Sequence, residues 1–502
     1  MKEAYLFAAD LGASGGKCFT GRFGKGTFSM REVHRFLHEP VSFYLPDAEG
    51  GLTERTYWDD VLLYDNIIRG LRIFRREIGP SLESIGIDAW GSDGQFVTPD
   101  GDVAGKVYCY RDHRLDTMVE AIKRELDPGT IYSQSGVQFE NYNISNQLYW
   151  FMKNRGHTLI PGSVFLPTPS LFYFYLGNVK MVDWSWAGVT QLMDARTRMW
   201  STPLLEGLGI PEAVMPEIVR PGTVVGELTP PLADSLKLGR ASLTAVASHD
   251  TACAYAAAPV SDPAEALIIS SGTWSLVGRL IPEPITTTEA LQAGLSNEGG
   301  IDNIRFLKNC MGTWIVQELR RLWREQDGRA MEWEEITALT RKAEPFTAFI
   351  DPDDNAFYNP ENMQEAIRSY CARTGQKPPG DRSAFLRVVY ESLALKYRMV
   401  NEEISALCGR KSRAVHIVGG GCKNAILNQC TADATGLPVI AGPQEASAAG
   451  NLLIQAEAIG VIEDEEDRAA VIEGFGLTRY VPGNTREWDR AFGVFRKIAE
   501  NG

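Results

Sequence analysis

The chain segment that most constrains the fold is Leu6-Phe7-Ala8-Ala9-Asp10-Leu11-Gly12-Ala13-Ser14-Gly15-Gly16-Lys17-Cys18-Phe19-Thr20-Gly21. It sets an apolar strand, a carboxylate, a glycine-rich turn and a second strand in immediate succession. The order predicts a hairpin that binds phosphate. Gly12, Gly15 and Gly16 are expected to take backbone angles that side chains forbid, so that the N–H groups of the turn converge on phosphate oxygens. Asp10, at the strand end, is placed to hold Mg²⁺, directly or through its water shell. Lys17 closes the loop with a cation. An ordinary β-hairpin with an exposed strand lysine accounts for the same residues, so recurrence elsewhere in the chain has to separate the two readings.

The pattern does recur. Ala266-Leu267-Ile268-Ile269-Ser270-Ser271-Gly272-Thr273-Trp274-Ser275-Leu276-Val277-Gly278 again reads as strand, small-residue turn and strand. Two such hairpins predict two similar domains facing one nucleotide, each lending a phosphate loop. A third element follows: the apolar strand Ala414-Val415-His416-Ile417-Val418, the triplet Gly419-Gly420-Gly421, and a helical pattern from Asn424 to about Thr435. A glycine triplet between strand and helix lets adenine or ribose lie flat on the backbone.

With these three elements stand Gly86-Ile87-Asp88-Ala89-Trp90-Gly91-Ser92-Asp93, Tyr110-Arg111-Asp112, His249-Asp250-Thr251-Ala252, Asn297-Glu298-Gly299-Gly300, Lys308-Asn309-Cys310-Met311-Gly312 and Phe357-Tyr358-Asn359-Pro360-Glu361-Asn362-Met363. Taken together they resemble the FGGY carbohydrate kinases, members of the actin-like ATPase superfamily, in family order over nearly the whole chain. The resemblance implies an α/β fold of duplicated, ribonuclease H-like domains with a cleft between them. It implies ATP and Mg²⁺ as cofactors and a small-molecule ketose as substrate. Asp250 then carries the role of general base, with Gly91, His249, Thr251 and Asn309 at the sugar. Ala13, Ser14, Gly15, Gly16, Lys17, Thr273, Gln317 and Gly420 are placed at the nucleotide, and Asp10 at the metal. Within the family the pattern is most similar to members that phosphorylate L-rhamnulose at its C1 hydroxyl. L-Fuculose is the alternative ketose, because Ala89 stands where Thr is frequent and Ser92-Asp93-Gly94 also fits members acting on that sugar. A reading from another class, a non-catalytic sugar-sensing protein of the same fold, lacks any segment for a DNA-binding helix-turn-helix.

Without the resemblance, Asp250 is better read as a helix-capping aspartate, and Asp10 can be read as a turn cap. Asp93 and Arg111 are weaker sugar candidates. Trp90, Tyr142 and Trp274 offer an apolar wall for a deoxy-sugar methyl, although large aromatics more often fill cores.

A chain of 502 residues exceeds what one core organises, so at least two domains are expected. The pattern places them at 1–240, with the sugar site and first phosphate loop, and at 241–502, with the base, second phosphate loop and adenosine site. The Pro- and Gly-rich passage from Pro211 to Pro231 reads as a surface exit from the first domain, with a hinge around 220–248. A net charge of −14 excludes a general nucleic-acid or anionic-membrane binder. The eight cysteines form no C-x-x-C pair, which excludes structural zinc and fits reduced thiols in the cytoplasm. The chain enters its first strand at once, so no cleavable leader is expected. The apolar run from Phe165 to Val182 is broken by Pro167, Pro169 and Lys180 and is too short to span a membrane. Homo-oligomer formation is left open. Helices are expected near Trp58 to Glu77, Leu232 to Leu238, Trp314 to Glu325, Trp333 to Lys342 and Ala384 to Leu407, with another starting in the small-residue run Gln444 to Asn451.

Overall fold

The structure is a computed structural model that describes residues 3–24, 27–46 and 50–501. It contains two compact units that do not follow a single cut in the chain. One takes the residues up to Ala257 together with Ile281–Phe306 and Ala446–Gly474; the other takes Ala258–Leu280, Leu307–Glu445 and the residues from Phe475 onward.

The first unit is built on a mixed sheet whose strands run Thr223–Glu227, Ser242–Ala245, Ser84–Ala89, Ala4–Gly12, Gly15–Gly24, Thr27–Leu37 in spatial order. Ala4–Gly12 pairs in parallel with Ser84–Ala89, which pairs in parallel with Ser242–Ala245, and the outer pairings are antiparallel. Central parallel strands are covered on both faces and therefore read as continuous apolar runs, as Leu6-Phe7-Ala8-Ala9 does. Phe7, Ala9 and Leu11 share a core with Leu63, Ile67, Leu71 and Phe74 of the Asp60–Glu77 helix. That helix starts where the Asp59 carboxylate accepts a bond from the Leu62 N–H. Trp58 ends a strand, Leu52–Trp58, and so lies outside it.

Two segments depart from the expected organisation. The strand around Leu243, expected to open the second domain, lies in the sheet of the first unit. The Pro- and Gly-rich passage contributes the sheet's outer strand, Thr223–Glu227. A short apolar strand satisfies any sheet, and its sequence does not say which. The second departure is the helix Ala446–Ala458, which also belongs to the first unit. Its small residues permit a very close approach: a Cβ on Gly450 would lie 1.8 Å from the Cys253 carbonyl oxygen. A Cβ on Gly86 would lie 2.4 Å from Asn451 Oδ1.

In the second unit, Trp274–Ile281, Ala266–Ser271, Ala414–Val418, Val439–Ala441 and Thr478–Tyr480 follow one another across a sheet. The Ala266–Ser271 hairpin is antiparallel, the next two pairings are parallel and the last is antiparallel. That sequence of pairings repeats the one running from Gly15–Gly24 to Thr223–Glu227 in the first unit. The duplication expected from the two hairpins is therefore present in the topology. Helices Trp314–Asp327, Trp333–Lys342, Arg382–Cys408 and Ala425–Thr435 fall close to the expected positions. Arg382–Cys408 is capped by Asp381 and stopped by Gly409 at φ 66°.

All eight cysteines are free. Among the described residues no helix is long and apolar enough to cross a membrane. The run from Phe165 is split into a strand, Val164–Pro167, and a helix, Thr168–Gly177.

Candidate active site

The first hairpin turns tightly at Ala13-Ser14, with Gly12 opposite Gly15 and Asp10 opposite Lys17. Contrary to expectation, none of Gly12, Gly15 and Gly16 has a positive φ. At Gly15 and Gly16 the requirement is space. A Cβ on Gly16 would lie 2.2 Å from the Phe36 ring, and one on Gly15 would lie 2.8 Å from the Phe36 carbonyl oxygen. His38, two residues further on, donates from Nε2 to the Gly12 carbonyl at 2.8 Å and contacts the rings of Trp58 and Trp90. Burial holds its pKa below the ordinary value, so it is a neutral prop for the turn.

The parallel register of the central strands sets Asp10 beside Asp88. Side chains alternate between faces, so Asp88 shares a face with Gly86, the one turned toward helix Ala446–Ala458. Asp88 is fully buried and accepts a 2.6 Å bond from Asn451 Nδ2. Burial, then the charge of Asp10, raise its pKa well above the ordinary carboxylate value.

Asp250 is delivered by the turn after Ser242–Ala245. The Ala89 N–H donates to the Ser248 carbonyl at 2.8 Å, so the strand end is stitched to this turn. Buried Asp183 anchors it further, accepting from the N–H groups of Ser185 (2.9 Å) and Ser248 (3.2 Å) and from both serine hydroxyls. The Asp250 side chain remains 30% exposed, and its Oδ1 accepts from the Thr251 N–H at 2.6 Å. Burial, followed by the charge of Asp10, pushes its pKa up to about 7. A carboxyl group with that affinity takes a proton readily and is half ionised at neutral pH.

His249 Nε2 stands 3.5 Å from Asp250 Oδ1. Its Nδ1 faces Arg305 Nη2 at 3.0 Å. Burial and the Arg305 charge hold its pKa well below the ordinary value, so the ring is neutral. Gly91 lies against this ring: a Cβ there would come 2.7 Å from His249 Nε2. The absent side chain at Gly91 thus makes room for the histidine.

Asp93 has a different place from the one expected. It is fully buried at φ 73° and accepts from Trp58 Nε1 (2.6 Å), Trp90 Nε1 (3.1 Å), Gln147 Nε2 (3.0 Å) and Ser92 Oγ (3.4 Å). With these donors on its oxygens and no exposure to solvent, Asp93 organises an aromatic cluster. Trp90 is buried in that cluster, whereas Trp274, in the second unit, is 44% exposed.

In the second unit Thr273 sits in the turn of the duplicate hairpin. Thr313 donates to the Gly272 carbonyl through its N–H (3.0 Å) and hydroxyl (2.8 Å), and Gly312 N–H donates to the Thr273 carbonyl at 3.0 Å. Gln317 Nε2 in turn donates to Thr313 Oγ1 at 3.1 Å, which brings Thr273 and Gln317 into one network. The glycine triplet divides its labour. Gly419 has φ 81°, a Cβ on Gly421 would lie 2.1 Å from Ser271 Oγ, and Gly420 is exposed with open space where its Cβ would be. Asn309 is half-buried on the strand Ile304–Met311.

Sequence reasoning picked out Asp10, Asp250, His249 and Gly91, which the first unit brings together, and Thr273, Gln317 and Gly420 in the second. It missed Asn451, Arg305, Glu298, Asp183 and His38. Only the motif Asn297-Glu298-Gly299-Gly300 and the run through Gly450-Asn451 hinted at two of these. Among the described residues no group of three or more His, Cys, Asp or Glu side chains is arranged to hold a metal. Asp10 nevertheless suits magnesium, which takes one or two carboxylates and completes its shell with water and phosphate. The negative charge that Asp10 adds beside Asp88 and Asp250 is the kind a cation offsets.

A duplicated α/β topology with paired glycine-turn hairpins, and a carboxyl of raised pKa at the start of a helix, fit a sugar-kinase type of architecture. Models of the FGGY family of carbohydrate kinases match it twice, the N-terminal domain over residues 72–256 and the C-terminal domain over residues 267–459. The chain belongs to this family. It is 36% identical over 498 residues to a rhamnulokinase of Bacteroides thetaiotaomicron, covering 99% of both chains. To a rhamnulokinase of Oceanobacillus iheyensis it is 34% identical, covering 96% of this chain and 98% of the relative. Among solved structures, a gluconate kinase from Lactobacillus acidophilus and a glycerol kinase from Plasmodium falciparum with ADP each superpose with a TM-score of 0.78 over 99% of this chain and 98% of theirs, at 14% identity.

Proposed function

We infer that this chain transfers the γ-phosphoryl group of ATP to the C1 hydroxyl of L-rhamnulose, giving L-rhamnulose 1-phosphate and ADP. The observation that carries the reaction is Asp250, a partly exposed carboxyl with a pKa near 7 beside Gly91 and His249. Relatives named rhamnulokinase, 34–37% identical over nearly the whole chain, favour this ketose over others. Phosphoryl transfer asks little covalent chemistry of the protein beyond positioning and charge. Asp250 accepts the proton of the attacking hydroxyl, and His249, Thr251 and Asn309 orient the sugar. The turn Ala13-Ser14-Gly15-Gly16 with Lys17, and Thr273 with Gln317, receive the phosphates. Asp10 holds magnesium, which when bound neutralises charge on the triphosphate. The free thiols suit the reducing cytoplasm.

ADP release measured over a panel of ketoses and polyols tests the reading. Turnover with L-rhamnulose well above that with L-fuculose, L-xylulose and glycerol is the expected result. A higher kcat/KM for L-fuculose would replace the substrate while keeping the reaction, and ATP hydrolysis indifferent to every sugar would overturn both.

The glycine triplet offers a separate check on the nucleotide site. Gly420→Ala is expected to fold like the parent and to raise the KM for ATP several-fold, because its Cβ occupies the open side. Gly421→Ala is expected to lose ~1–3 kcal/mol of stability from overpacking on Ser271. Urea midpoints and ATP titrations on the two variants distinguish these effects.

A further inference from the structure

We propose that Arg305, fixed by Glu298, is a positioning residue that locks His249 as its Nε2–H tautomer, so that the ring turns a donor and no acceptor toward the base Asp250. The proposal draws on the kinase reading only for the use to which that donor is put.

A guanidinium group donates and never accepts. Arg305 Nη2 lies 3.0 Å from His249 Nδ1, so Nδ1 must present its lone pair. Arg305 has little freedom to do otherwise. It is fully buried, its Nε donates to the Gly299 carbonyl at 2.8 Å, and its Nη2 stands 3.0 Å from Glu298 Oε2. Among the described residues Glu298 is the carboxylate paired with this side of the ring, at 3.6 Å from Nδ1, too far to accept a hydrogen bond from it. A proton on Nδ1 would also point at the Arg305 N–H. The neutral imidazole therefore has its single proton on Nε2, 3.5 Å from Asp250 Oδ1 and over the backbone of Gly91.

The tautomer matters because Asp250 must receive a proton. An Nδ1–H ring would aim the Nε2 lone pair at the Asp250 carboxylate, repelling its ionised form and competing for the incoming proton. The Nε2–H ring turns the positive end of its N–H bond toward the carboxylate across 3.5 Å, which favours the ionised form electrostatically and sets no competing lone pair against it. The Glu298–Arg305 pair explains why a charged couple is kept in the interior, where desolvation makes such pairs poor contributors to stability.

Nitrogen-15 spectra of histidine-labelled full-length protein, recorded by magic-angle spinning with His249 assigned by its loss in His249→Gln, read the tautomer directly and without reference to activity. The expected spectrum has an unprotonated Nδ1 and a protonated Nε2. A protonated Nδ1, or an imidazolium, overturns the proposal whatever the substrate proves to be. Arg305→Lys restores a donor that cannot accept and should retain the tautomer and most of kcat. The double variant Glu298→Gln/Arg305→Met removes both charges together. It should populate the Nδ1–H form and lose ~10- to 100-fold in kcat with little change in either KM. A folded double variant with the parent's tautomer or the parent's kcat overturns the lock. Should the double variant not fold, the parent spectrum and Arg305→Lys decide. Failure of the kinase reading would show separately, as parent protein that releases no ADP with any ketose.

Discussion

Asp250→Asn is expected to lower kcat by ~10²- to 10⁴-fold while ATP binding is retained, the loss typical of a missing general base. The isosteric amide keeps one acceptor for the Thr251 N–H and cannot take the substrate's proton. The parent should show an acid limb in its pH–rate profile with an apparent pKa near 7: active as the carboxylate above it, inactive as the acid below it. The same variant should be more stable than the parent at about pH 8. A carboxyl whose folded pKa lies above its unfolded value binds more protons folded than unfolded, so its presence costs stability increasingly as pH rises from about 4 to 7. Thermal midpoints at about pH 4 and pH 8 measure this, and the gap between variant and parent should vanish at the lower pH. Near-parental turnover in Asp250→Asn would remove Asp250 from the base role.

Gly450→Ala is expected to destabilise the first unit by about 3 kcal/mol, the upper end of what overpacking costs. Its Cβ would stand 1.8 Å from the Cys253 carbonyl oxygen, a backbone atom on helix Asp250–Ala256 that no rotamer change can move. Separating the helices would also shift Asp250, the first residue of that helix. Activity should therefore fall even in molecules that remain folded. Urea unfolding followed alongside ketose-dependent ADP release measures both effects; a midpoint unchanged from the parent would show that the helices can part at little cost.

Much of the architecture was legible because it rests on local rules. Helix Arg382–Cys408, expected near Ala384 to Leu407, has its capping Asp381 and its glycine stop Gly409 immediately beside its ends. The duplicated hairpin exposed the repeat. The reasons for the glycines were not legible. Gly15 and Gly16 look like residues chosen for unusual angles, yet their constraint is the neighbouring strand at Phe36, and Gly91 yields to His249. Such clearances depend on partners distant in the chain. Asp93 was misjudged in the same way, since its four donors come from Trp58, Trp90, Ser92 and Gln147 and no local pattern announces them. Arg305 reads as one apolar-strand arginine among many until the fold sets it against His249.

Helix Ala446–Ala458 bears on how the polypeptide matures during synthesis. Asn451 supplies the donor on Asp88 across 363 residues, and Gln455 donates to the Phe7 carbonyl across 448. Until the ribosome has released that helix, the face of the central strands holding Gly86 and Asp88 lacks the larger part of its cover, and Asp88 lacks the Asn451 donor. The amino-terminal unit therefore matures late, after most of the other unit has been translated. A fragment ending at Ala257 would expose an apolar sheet face and need a chaperone to stay in solution, and the same fragment mixed with a peptide carrying residues 446–458 would be the minimal system in which to watch that closing step.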